Sequence, residues 1–211
     1  MIEYQYLLDD VELPAWLIFS TILNENDEDP YKVKEFCRRF WLENQAYIST
    51  WLPIQREIFH GRNEYKIEQI FRENFQVIIQ NGCSSIDEYL LELTKKLMSQ
   101  LGNTKIVLVQ NNPMSPDAEF IRLMFDKGIK WHELLSGSYL SAYLFEVPVG
   151  EFFIFSEDNR WGIYSSNDAD YPFYMIGFVP LLEELFTTIF KPTQDTKIIN
   201  WLKPIYPNAI W

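Results

Sequence analysis

The segment "WHELLS", residues 131–136, places a histidine beside a carboxylate, the residue types from which zinc hydrolases build their centres. Such a centre needs a second histidine four positions after the first on one helical face, with a glutamate between them as base. His132 and Glu133 are present, but position 136 is Ser136 and the surrounding residues read as extended. The second ligand is missing, and His132 reads as a partly exposed residue near the start of a sheet. The chain has 2 histidines, His60 and His132, so a nucleophile would find few bases. Cys37 and Cys83 form no CxxC pair, and "LLSGSYLS" does not supply the GxSxG elbow. GxGxxG and GxxxxGK[ST] are both absent, so no dinucleotide, nucleotide phosphate or other cofactor is expected.

Two acidic alternations approach a calcium loop. Asn24, Asn26, Glu28 and Glu35 fall at its liganding positions, but Asp29 stands where the sharp turn requires glycine. Ser166, Asp168 and Asp170 alternate in the same way, with Tyr171 at the glycine position and no closing glutamate. No metal is expected at either. Asp168 and Asp170 as an acid–base pair would need burial to separate their pKa values, and a polar loop does not supply it.

The elements that must carry these residues follow from periodicity. Asp29-Pro30 opens a helix whose apolar positions, Val33, Phe36, Cys37, Phe40, Trp41, Tyr47, Ile48 and Trp51, run to Pro53. Ile67, Ile70, Phe71, Phe75 and Ile78 predict a second helix ending at Asn81-Gly82. Ser85 and Glu88 form a capping box for a third, with Ile86, Tyr89, Leu90, Leu93, Leu97 and Leu101 as its stripe and Gly102 as its stop. "KIVLV" at 105–109 predicts a buried strand, and residues 115–128 a helix from Ser115-Pro116 to Gly128. "YLSAYLFEV", "EFFIFS", "WGIYSS" and "YPFYMIGF" predict strands of an antiparallel meander, with turns at 148–150 and 157–159. Pro180 opens a last helix, and an irregular tail docks through Trp201 and Trp211. The expected fold is α+β, a helical N-terminal half packed on a four- to five-stranded antiparallel β-meander with a C-terminal helix. One domain over 1–211 is expected, mainly helical over 1–103 and α+β over 104–211.

The charge adds a partner class. The net charge is −12, and it is not spread evenly. Residues 1–29 hold eight acids and no base, and residues 131–190 hold nine acids and one base, Arg160, whereas residues 30–130 are near neutral. Such a field repels nucleic acid and anionic membranes and draws in basic proteins. It also serves solubility alone. An apolar run of "LPAWLIF" is too short to span a bilayer, the start of the chain is acidic rather than signal-like, and Cys37 reads as a buried thiol. The expectation is a cytoplasmic protein.

The C-terminal third carries a resemblance. "EFFIFSEDNRWGIYSSNDADYPFYMIGF", residues 151–178, is a hairpin with Trp-Gly-hydrophobic-Tyr after its turn, then an acidic-aromatic loop and a strand containing Ile-Gly. In this it resembles the immunity proteins of bacterial polymorphic and contact-dependent toxin systems. The resemblance implies a cytosolic, acidic, non-catalytic protein that blocks a cognate toxin, often a basic nuclease, and it transfers no particular residue. From local physics, the expected partner-binding residues are Glu157, Asp158, Tyr164, Asp168, Asp170 and Tyr171, acids for capture and tyrosines for contact area. Trp161 is expected inward, Tyr164 and Tyr171 outward. An enzyme with a dispersed carboxylate and histidine site, an acidic regulatory subunit, a DNA mimic and a homodimer remain as alternatives.

Overall fold

A strand that lies between two cores is apolar on both faces, and several such strands occur here. The structure, a computed structural model, describes residues 30–60, 70–82, 86–111, 121–135, 141, 145, 151–166 and 171–211. Its centre is a six-stranded antiparallel sheet formed by β1 (Gln76–Asn81), β2 (Lys105–Asn111), β3 (Arg122–Asp126), β4 (Glu151–Phe155), β5 (Trp161–Ser165) and β6 (Phe173–Phe178). The strand order is β1-β6-β5-β4-β2-β3. The fold is α+β. The meander β4-β5-β6 lies in the middle, and it is widened by β1 and β3, two strands from segments whose spacing reads as helical.

Those two segments show what periodicity misses. Val77, Ile78 and Ile79 are consecutive and all buried, so β1 feeds both cores, and Gly82 continues its pairing by donating to the Pro172 carbonyl at 3.1 Å. Within the expected 115–128 helix, Ile121, Leu123 and Phe125 alternate into one core, while Arg122 is buried on the opposite side. Residues 112–120 lie outside the described residues. The reverse occurs at Trp131–Leu134, a helical turn (α4) rather than extended chain, and at Ser141 and Phe145, helical inside the expected "YLSAYLFEV" strand.

The first helix also divides. α1 (Pro30–Phe40) ends where the chain must pass the edge of β3. Trp41 bridges Leu123 there, and Leu42 N–H donates to the Arg122 carbonyl at 3.0 Å. Trp41 belongs to one core and Leu42 to the other, as alternate residues of an extended segment must. The helical run over residues 44–58, α2, joins Asn44–Ala46, a π segment Tyr47–Trp51 and Leu52–Ile58. Pro53 does not end it. Its missing N–H falls where the π segment hands over to the α-helix, a place where the ladder is already open.

α3 (Glu88–Leu101) forms as its stripe predicts, but Asp87, not Ser85, is the cap, accepting from Leu90 N–H at 2.7 Å. Ser85 is outside the described residues. Gly102 ends it at φ +76°. A 3-10 turn at Pro180–Leu182 leads into α5 (Glu183–Ile189), and the tail holds a short helix, α6 (Thr196–Leu202), that spacing does not reveal.

The sheet is covered on both faces. α1, α3, α4 and α5 pack over Ile106, Leu108, Phe152, Ile154, Trp161, Ile163 and Ile176. α2 and α6 pack over Val107, Val109, Phe153, Phe155, Tyr164, Phe173 and Met175. Both sheet edges are also engaged. Beyond β3 stands the Trp41–Leu42 crossing. Beyond β1, Ile210 N–H donates to the Val77 carbonyl at 2.8 Å and Thr193 N–H to the Ile79 carbonyl at 2.6 Å.

On the α2 face, two glycines carry the close packing. Gly162 and Gly177 are partners across β5 and β6. A Cβ on Gly162 would stand 2.5 Å from Phe59 Cζ, and one on Gly177 would stand 2.3 Å from Phe71 Cδ1. Phe59 and Phe71 pair in a β-bridge, their rings 5.1 Å apart, and together lie in the trough the glycines leave. Gly177→Ala is therefore expected to cost about 1–3 kcal/mol in urea unfolding, as overpacking does. Adding Phe71→Leu should recover part of that loss, and strictly additive costs would show that the ring is not what the glycine accommodates.

Candidate functional site

The β4–β5 turn is built by its own side chains. Asn103, just beyond α3, is buried, and its Oδ1 accepts from Trp161 Nε1 at 3.1 Å and from Ser156 Oγ at 3.2 Å. Asp158 N–H donates to Ser156 Oγ at 3.1 Å, and Asp158 Oδ1 accepts from Arg160 N–H at 3.0 Å. Arg160 closes the turn with Nε to Oδ1 at 2.8 Å and Nη2 to Oδ2 at 2.6 Å. Burial pushes the Asp158 pKa up, but the Arg160 bonds and charge outweigh it and hold the carboxyl low. Glu157 Oε1 accepts from Thr104 N–H at 2.6 Å and Thr104 Oγ1 at 2.7 Å, and Oε2 from Lys105 N–H at 3.1 Å. Two of the four expected partner-binding acids are thus engaged within the chain, Glu157 tying the turn to the start of β2 and Asp158 closing the turn on Arg160.

The other expected residues separate. Tyr164 is 1% exposed, a correction to its expected outward position. It does face away from Trp161, as alternation requires, but that second face is itself a core, where Tyr164 packs against Phe153 and Phe173. Tyr171 is half-buried at the far end of β6, its ring 6.5 Å from Trp201 and 5.5 Å from Lys197 Nζ. Asp168 and Asp170 lie outside the described residues, in the chain between Ser166 and Tyr171. Glu157 and Asp158 therefore stand at one end of the sheet and Tyr171 at the other, so the six do not form one surface.

The end that carries the β4–β5 turn holds a groove of about 400 Å³. Glu57 of α2 forms one wall, and Arg72, Glu73, Asn74 and Phe75, ahead of β1, form another. Asn159 and Arg160 of the turn and Val179 after β6 complete it. Asn159 Nδ2 donates to Glu57 Oε2, fixing that carboxylate on the wall. Glu73 extends into solvent with its side chain 87% exposed, and His60 Nε2 lies 3.6 Å from it. Two residues past Val179, Leu181 is 87% exposed, and Glu183 and Glu184 follow it in the first turn of α5. Sequence reasoning passed over these residues, though a signal existed. The buried stripe of the last helix is Phe186, Ile189 and Phe190, with Leu182 and Leu185 beside it, and Leu181 falls off that stripe.

The residues considered for catalysis have other partners. Glu133 accepts from Lys130 N–H at 2.9 Å and from Arg39, which hold its carboxyl below the usual range, Lys130 first and Arg39 next. It thereby joins α4 to α1, while His132 is exposed. The Cys37 thiol is buried and pushed up to about 12 by that burial, far from a reactive thiolate. Cys83 lies outside the described residues. Among the described residues, no three His, Cys, Asp or Glu gather closely enough to hold a metal ion. No described helix is long and apolar enough to cross a membrane. Comparison with known proteins returned no matching family model, no matching curated protein and no matching solved structure.

Glu157 makes the turn sensitive to acid. Burial raises its pKa, but the bonds from Thr104 and Lys105 outweigh this, leaving it below the ordinary 4.5. A carboxylate with a lower pKa folded than unfolded adds stability above its unfolded value and loses it as pH falls through the folded one. Glu157→Gln is expected to lower stability at neutral pH by about 1 kcal/mol, a value reduced by solvent screening. The loss should shrink as pH falls below about 4.3, where the unfolded chain takes up the proton, and vanish below the lower folded value, where the wild-type carboxylate is itself protonated. Urea unfolding at both pH values measures this, and an equal loss at both would refute the charge's role.

Proposed function

We propose that the protein is a non-catalytic binding protein that captures and blocks a basic protein partner in the cytoplasm, the cognate toxin domain of a bacterial polymorphic or contact-dependent system. The observation that carries this reading is Leu181, the most exposed of the large apolar side chains described, standing beside Glu183 and Glu184. An apolar side chain held out from the surface is an anchor in search of a pocket, and carboxylates around it select a partner of opposite charge. The 131–190 segment, with nine acids and one base, supplies the longer-range field. That base, Arg160, is neutralised within the chain by Asp158. The likeness of residues 151–178 to immunity proteins points the same way.

The reading fails if the product of the gene immediately upstream is neither toxic alone nor bound by this protein on co-expression. With a bound toxin domain, calorimetry should show affinity falling as salt rises. Leu181→Ala should weaken binding by about 2 kcal/mol, or about thirtyfold. Asp168→Asn with Asp170→Asn tests the acids between Ser166 and Tyr171. If that pair abolishes binding while Leu181→Ala does not, the docking surface includes those acids and not Leu181.

A further inference from the structure

We draw no further inference here: the strongest candidate, the uncharged outer face of α2 over residues 44–55 on which Ile48 is exposed, carries nothing because nothing in the structure shows what covers it.

Discussion

The absence of two side chains organises one whole face of this molecule. Gly162 and Gly177 oppose each other at the centre of the sheet, and the trough between them admits Phe59 and Phe71 to van der Waals contact with the backbone. The two rings close the bridge that ends α2 and leads into β1. Phe59 then meets Phe153 at 4.6 Å, and Trp51 meets Phe155 at 6.4 Å, so the second core spreads outward from the trough. With methyl groups there instead, the Phe59–Phe71 bridge would have to lift from the sheet and separate from the surface it covers.

The same trough locates the groove. Glu57 lies two residues before Phe59, and Arg72 follows Phe71, so the walls are extensions of the segment seated on the glycines. The third side comes from the β4–β5 turn, held by Asn103, Thr104 and Lys105 rather than by its own backbone alone. Core packing thus sets one part of the site and a polar network the other. Glu157 and Asp158, which look available in sequence, serve that network, while Glu73 extends into solvent.

The meander and α3 were legible because each presents one unambiguous pattern: short apolar runs between turn residues, or a helical stripe closed by Gly102. β1 and β3 were not, because a strand buried on both faces needs no alternation, and its apolar residues fit a helical period by chance. The same physics hid Tyr164. Alternation correctly set it opposite Trp161, but nothing local says whether the opposite face meets water or a second core. Of the site, Glu157 and Asp158 were found as residues but their part in the turn was not, since hydrogen bonds to Thr104 and Arg160 join groups that sequence does not bring together or does not orient. Leu181 was visible only as a departure from the stripe of α5.

The sheet edges have a consequence for how this protein can change. With Trp41 and Leu42 beyond β3, and Thr193 and Ile210 beyond β1, main-chain groups at both borders are already bonded within the chain. Another polypeptide cannot join by adding a strand there without displacing them. Side chains displayed at the ends of the sheet stay open to solvent instead, Leu181 most of all among the large apolar ones described. An exposed side chain such as Leu181 can be replaced there while the folding free energy stays nearly constant.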